Sequence, residues 1–415
     1  MKCCRWSASS DGSSSNTSSN VPIRPSSTDA SAGKVKSVDR RGITTFFGMT
    51  LLSTTGYNMT IPTIYLFAKQ LGASVEEIGL ISALGSFARL FLRVPAGAAS
   101  DRLGGRSLVQ LGCVLISGAL FLLFVATSTL HVLGGVLLST VGSTLIFSVG
   151  ITMAAGIYGS RTAAGVSLYL LICSVSFFLA PLLCSILLLG ISIRETYIVA
   201  CAISLGGIVA SGLVSRRTVK RQSTKISQSL SNILKNRTQI DGLLLQAAFS
   251  ILFIAIFVFF PLYGEDELHL SSSEISAIFS VYSFAMIVIR IVLPRLLVRI
   301  GDRILISASF LEFAGLMILL PFIKSLPVLF LIMFITGVAH GIVFPTIAAV
   351  VAKASKPTEL GLANALNMAM GDIVGIVGPL PITTLITALG FNALYIALAV
   401  SFTAVAAYVM TLAKL

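Results

Sequence analysis

The sequence predicts an all-α membrane protein, with twelve transmembrane helices in two six-helix bundles. Three observations predict it. Hydrophobic residues make up 55% of the chain and charged residues 11%, with a mean hydropathy of +0.96. A soluble chain carries charge on roughly a quarter of its residues, so most of this surface must face lipid. Apolar runs of about 20 residues, the length that crosses a bilayer core, follow one another from residue 43 to residue 412. Finally, the chain repeats itself at an offset of 197: Glu77-Ile78, Ser86-Phe87-Ala88, Arg93 and Gly104 align with Glu274-Ile275, Ser283-Phe284-Ala285, Arg290 and Gly301.

The elements follow in order. Residues 1–41 are rich in Ser, with Asn, Asp and Pro, and hold few large apolar side chains beyond Trp6, Val21 and Ile23. Such a segment cannot bury enough surface to fold, and it lacks the apolar centre of a signal peptide. It is expected to be a disordered cytoplasmic tail, with Cys3 and Cys4 as ordinary thiols or, alternatively, lipid attachment points. The first bundle, 42–215, takes the spans 43–67, 77–99, 107–128, 132–157, 164–190 and 195–215. Charges mark the breaks: Lys69 after the first span, Arg102 and Arg106 after the second, Arg161 after the fourth and Arg194 after the fifth. A basic linker, 216–239, separates the halves; its Ile226, Leu230, Ile233 and Leu234 fall at helical spacing. It is expected to lie on the inner membrane face, basic side towards anionic headgroups. The second bundle, 240–415, takes 240–263, 274–298, 304–323, 327–352, 361–389 and 391–412. Each span must be a helix, because lipid offers no partner to backbone N–H and C=O groups.

Lys and Arg set the orientation. With the N-terminus inside, the inner segments collect Lys34, Lys36, Arg40, Arg41, Arg102, Arg106, Arg161, the linker cations from Arg216 to Arg237, Arg295, Arg299, Arg303, Lys353, Lys356 and Lys414. The opposite side holds Lys69, Arg194 and Lys324, and its loop after the seventh span is acidic at Glu265, Asp266 and Glu267. Both termini are therefore expected to be cytoplasmic, with the plasma membrane as the expected location.

Between the second and third spans stands Gly97-Ala98-Ala99-Ser100-Asp101-Arg102-Leu103-Gly104-Gly105-Arg106, with a weaker copy at Arg299-Ile300-Gly301-Asp302-Arg303. The pattern Gly-x-x-x-Asp-Arg-x-Gly-x-Arg resembles the cytoplasmic loop signature of the major facilitator superfamily, a resemblance that covers residues 42–415. It implies two bundles around a central cavity and transport of a small solute by alternating access. It also implies a gating loop of Gly97, Asp101, Arg102, Gly104 and Arg106, in which Asp101 faces the start of the eleventh helix near Gly361 and helps hold the outward-open state. A carboxylate is stabilised at a helix N-terminus. The alternative is a loop that only sets topology. In the second copy Val298 stands where Asp101 stands, so the acid-dependent contact is expected from the first half alone.

Several residues are polar where lipid is expected. Ser82, Ser86, Arg89, Arg93 and Gly97 form one stripe on the second helix. Arg93 is read as a boundary arginine that snorkels. Arg89, about 18 Å into the helix at 1.5 Å per residue, reaches the midplane, where an unpaired charge costs several kcal/mol. Asp372, amid Gly371, Gly375, Gly378 and Pro379, also reaches the midplane, and the two are expected to pair across the halves. Whether that pair serves transport or only structure stays open. His340 on the tenth helix is a proton-coupling candidate or a packing histidine. Asn58, beside Thr54, Thr55, Tyr57 and Thr60, and Asn367, near Asn364, are substrate candidates; hydroxyls of the fourth helix, from Ser139 to Thr152, serve either the cavity or packing. Arg290 and Glu312 are expected to form a structural charge pair. The glycine-rich proton-antiporter signature of the fifth helix is poorly matched, with only Ala180-Pro181 present.

Composition also excludes. The net charge of +13 sits in short loops without aromatic interleaving, which argues against nucleic acid. Of the six cysteines, Cys113, Cys173, Cys184 and Cys201 lie inside apolar runs as packing residues. No zinc-type spacing occurs and the three histidines are scattered, so no metal and no cofactor is expected. No nucleotide-binding motif is present, and no enzyme activity is expected; energy must come from a gradient. The expected function is secondary transport of a small molecule by a monomer in the bilayer, proton-coupled and directed to export. The alternatives are a uniporter or facilitator of a metabolite or sugar, and a receptor that does not transport.

Overall fold

The computed structural model describes residues 40–157, 162–211, 226–356 and 359–412. The tail with Cys3 and Cys4, Arg161, the linker cations from Arg216 to Lys225, and Lys414 lie outside the described residues. Every regular element among those described is helical.

The first expected span is two helices, α1 (Arg40–Asn58) and α2 (Ile64–Gln70). Pro62 in the intervening turn has no N–H to give a helix. Thr60 and Thr63 cap carbonyls there instead, donating to Tyr57 O at 2.8 Å and Met59 O at 3.1 Å. Then follow α3 (Val75–Leu103), α4 (Gly105–Phe124), α5 (Thr129–Ile157), α6 (Thr162–Leu187) and α7 (Ile193–Ser211). After the linker come α8 (Ile226–Lys235) and α9 (Arg237–Ile254), which passes through a π-turn at Ala255–Phe259 into α10 (Phe260–Asp266). The extra residue of the π-turn relieves Pro261, whose ring would otherwise clash with the carbonyl of Phe257. Next come α11 (Ser272–Ile300), α12 (Asp302–Leu319), α13 (Leu326–Lys353), α14 (Leu360–Val377) and α15 (Pro379–Thr411). Gly390, at φ 80°, divides α15, so the expected eleventh span is α14 with the start of α15.

By length and composition, nine of the described stretches can cross a membrane, the last running from Leu360 to Thr411. The interrupted α1–α2 pair is not among them, nor is α3, which carries Glu76, Glu77, Arg89 and Arg93.

The repeat is visible in the backbone. α3 and α11 are both 29 residues long, each begins and ends at the offset of 197, and each stops at a glycine with positive φ, Gly104 (φ 81°, ψ 138°) and Gly301 (φ 88°, ψ 155°). Only glycine takes that conformation without a Cβ penalty. Val298, the mate of Asp101, is 87% exposed on the last turn of α11.

One apolar core runs through the chain from Phe46 to Val409. Lipid-like exposure falls on apolar side chains such as Leu130, Ile291 and Leu389. The halves meet along two seams: α3 lies against α14 and α15, and α6 lies against α11. The linker helix α8 packs on the second half. Ile233 is buried against Val351 and Ala363, while Asn232 donates to Glu359 Oε1 at 2.8 Å and Asn236 to Ala354 O at 3.1 Å. Ile233 thus fills a groove at the ends of α13 and α14, while Leu234 stays exposed.

Candidate functional site

The first seam holds the strongest polar contact. Asp372 on α14 is only 3% exposed, and Arg93 on α3 grips it: Nε donates to Oδ2 at 2.5 Å and Nη2 to Oδ1 at 3.3 Å. Arg93 Nη1 also approaches Met368 Sδ at 3.4 Å. Arg89, expected as the direct partner, stands one turn back with Nη1 3.9 Å from Asp372 Oδ1. The reading of Arg93 as a boundary arginine did not foresee this partner; α3 continues to Leu103, ten residues beyond Arg93. A bidentate, charge-assisted geometry of this kind is the stronger class of hydrogen bond.

Close approach of the two backbones makes the contact possible. A Cβ on Gly375 would lie 2.4 Å from Ser86 Oγ and 2.8 Å from Ser86 Cβ. The polar stripe of α3 (Ser82, Ser86, Arg89, Arg93) thus packs directly on the glycine-flanked stripe of α14. One turn from Asp372, Asn367 donates to Gln246 Oε1 on α9 at 3.3 Å, and its own Oδ1 has no partner among the described residues. Gln246 had not been singled out in the sequence; an amide inside an apolar run was the available signal. Asn58, on α1, donates to Ser176 Oγ on α6 at 2.9 Å, within the first half.

The second seam is built differently. Arg290 on α11, the repeat mate of Arg93, donates from Nη1 to Ser174 Oγ on α6 at 2.7 Å. Its Nε is buried with no partner among the described residues. The expected pair with Glu312 is not formed: Glu312 Oε1 accepts from Thr336 Oγ1 at 2.8 Å, and no ion pair joins it to Arg290 among the described residues. α12 packs on α13 and presents Glu312 to Thr336, whereas Arg290 points across the seam to the other half. Sequence reasoning missed Ser174, although subtracting the offset from Asp372 leads to Val175 beside it.

His340 is buried on α13, its Nδ1 hydrogen-bonded to Tyr282 Oη. Phe249, Phe257 and Tyr282 stand edge-on to its ring at 4.7, 6.4 and 5.5 Å between centroids. All of these neighbours belong to the second half.

Two further places were marked in the sequence. In the loop segment, Gly97, Asp101 and Arg102 belong to the last turns of α3, but their side chains lie outside those described. Arg106 stands beside Met49, Val109, Met153 and Ser211. In the second copy Asp302 pairs with Lys353 at the end of α13. Past the end of the first span, Lys69 bonds Glu265 at 2.8 Å and also Asp266, joining α2 to the end of α10. Partial burial pulls the Lys69 ammonium down, but its bonds to Asp266 and Glu265 outweigh this and raise its pKa above the ordinary value.

Known proteins share this architecture. The Major Facilitator Superfamily profile matches residues 46–311 and 243–414. The uncharacterised transporter YybO of Bacillus subtilis (strain 168) is 27% identical over 123 residues. That match spans 30% of this chain and 28% of the relative's length. The nucleoside transporter NupG superposes with a TM-score of 0.70 at 16% identity, covering 89% of this chain and 98% of its own. A peptide transporter POT gives 0.74 at 14% identity, covering 89% and 94%. The human organic anion transporter MFSD10 gives 0.63 at 16%, covering 89% and 99%. Family and fold are those of multi-span membrane transporters rather than of enzymes. Matched along its sequence from residue 46 to residue 414, the chain belongs to the Major Facilitator Superfamily.

Proposed function

We propose that the chain carries a small solute across a membrane by alternating access of its two halves, driven by a gradient, coupled to protons and directed to export. One observation carries the reading. Asp372 is a buried carboxylate in one half whose counter-charges, Arg93 and Arg89, stand on the other. A pair that spans the halves is made or broken as they rock. Protonating Asp372 weakens its hold on Arg93 and so links a proton to the conformation of the first seam. Intramembrane carboxylates mark such relays by default. The Lys69 contact to Glu265 and Asp266 supports the same reading as a clasp at the opposite end. The excess of Lys and Arg on one face supports termini on the cytoplasmic side of a plasma membrane. Asp101 is the gating acid of this proposal; Asp101→Asn then slows turnover while leaving insertion intact.

A second reading rests on the same place. An Asp372 that serves only as a fixed structural counter-charge to Arg93 and Arg89 makes the chain a facilitator. Purified protein in liposomes separates the two. Coupled transport predicts solute accumulation driven by a pH gradient, lost in Asp372→Asn while exchange of solute persists. Flux that ignores the gradient selects the facilitator, and no flux of any solute removes transport altogether.

A further inference from the structure

The repeat turns one seam into a control for the other. α3 and α11 are equal in length and offset by 197, so Arg93 and Arg290 occupy the same position in the two halves. Each donates across a seam into the opposite half. Arg93 meets the carboxylate of Asp372; Arg290 meets the hydroxyl of Ser174. The helices α6 and α14 begin 198 residues apart, so the position equivalent to Asp372 is Ser174 itself, which offers a hydroxyl and no acid. One arginine is neutralised by the chain, and its twin is not.

A guanidinium deep in a membrane protein needs an anion or water, because a neutral hydroxyl does not offset its desolvation. Arg290 also keeps its Nε buried without a partner, and Glu312 forms no ion pair with it among the described residues. Asp372 is shared by Arg89 and Arg93 at the first seam, and no ion pair joins Arg290 to a carboxylate at the second among the described residues. The surroundings of Ser174 are aromatic: Phe177 packs on Phe257 at 5.6 Å between centroids, and Phe178 on Phe284 at 5.5 Å.

We propose that the carried solute is an organic monocarboxylate with an apolar body, and that its carboxylate binds Arg290 at the α6–α11 seam. There it supplies the negative charge that Asp372 supplies to Arg93. The flanking phenylalanines receive the apolar body. The inference rests on the transport reading and deepens it by naming the class of solute.

The test uses the purified full-length chain and paired probes that differ in charge alone: benzoate with benzamide, and lactate with lactamide. Thermal unfolding is followed across probe concentration, since a ligand of the folded state stabilises by mass action. The expected result is saturable stabilisation by benzoate, weaker stabilisation by lactate, and none by the amides. Arg290→Gln should weaken half-saturation by benzoate more than about tenfold, as removal of one member of a buried charge pair does; Arg290→Lys should retain part of it. Ser174→Asp is the decisive variant. It places an acid beside Arg290 within the chain, and should raise the unfolding temperature of the empty protein while abolishing the benzoate effect. Equal stabilisation by acid and amide, no stabilisation by either acid, or an unchanged benzoate response in Ser174→Asp overturns the proposal. Liposome flux of any neutral solute, found together with such a result, would leave transport standing and remove only the anion. Saturable benzoate binding in detergent without flux of any solute would do the reverse.

Discussion

Arg93 and Arg290 stand at equivalent positions on two helices of equal length, and each bonds across to the other half, but only Arg93 finds a carboxylate. The two seams therefore differ in strength, although the backbone repeats.

Arg93→Ala should be far more damaging than Arg89→Ala. The first leaves Asp372 buried with only a distant charge at 3.9 Å, and breaking one partner of a buried pair costs about 3–5 kcal/mol. The second leaves the bidentate grip intact. Thermal unfolding in detergent measures both, and equal losses would restore Arg89 as the principal partner.

Gly375→Ala should separate α14 from α3. Its new methyl would sit 2.4 Å from Ser86 Oγ, and such overpacking costs about 1–3 kcal/mol. Combining it with Ser86→Ala should recover part of the loss, because the hydroxyl goes but the Cβ at 2.8 Å stays. A double-mutant cycle with additive losses would show that the two positions do not meet.

Gly104→Ala and Gly301→Ala should cost similar amounts, about 1–3 kcal/mol each for an L-residue forced into a positive-φ conformation that is essentially glycine's alone. An added Cβ meets nothing at either site, so the cost is purely conformational, and Asn should fare no better than Ala, because ψ 138° and 155° lie outside the left-handed helical region that Asn tolerates. Unequal losses would mean that the two breaks bear different loads.

The Lys69 contact should be titratable only in strong alkali. Its pKa in the folded protein is raised. The contribution is therefore complete below the unfolded-state value of about 10.4 and disappears as pH rises through the higher folded-state value. Exposed pairs of this kind are worth at most about 1 kcal/mol and are screened by salt. Lys69→Ala should shorten the lifetime of the closed arrangement at that end, read from spin-label distances between α2 and α10. High salt should shift wild type in the same direction and add nothing to the variant.

Much of this fold is legible in the sequence, because lipid permits so few structures. Runs of apolar residues must be helices, and the breaks at Gly104 and Gly301 follow from the repeat itself. The site is legible in part. Asp372 stands out as a lone acid in an apolar run, and Arg89 as a lone midplane base, but the register between α3 and α14 is set by their packing. The close approach at Gly375 and Ser86 brings Arg93, one turn beyond Arg89, to the carboxylate. Glu312 was assigned to Arg290 by element adjacency alone. Which face of α12 meets α13, and hence that Thr336 takes the acid, is set by tertiary packing that hydrophobic periodicity cannot supply in a helix that is apolar on every side. The groove that receives Ile233 is likewise assembled from distant parts of the chain.

The π-turn in the seventh span has a mechanical consequence. One residue more than an α-helix rotates everything beyond it by about 100°, since a full turn takes 3.6 residues. Before the turn Phe249 and Phe253 look towards His340; after it Tyr263 faces Phe391 and Tyr395 on α15 and donates to Leu320 O at 3.2 Å. The rod therefore contains a swivel between its aromatic stretch and the acidic tip that holds Lys69. If the surplus residue migrates along the rod, torque passes between tip and middle with little change in length, and Pro261 fixes one end of the track along which it can slide.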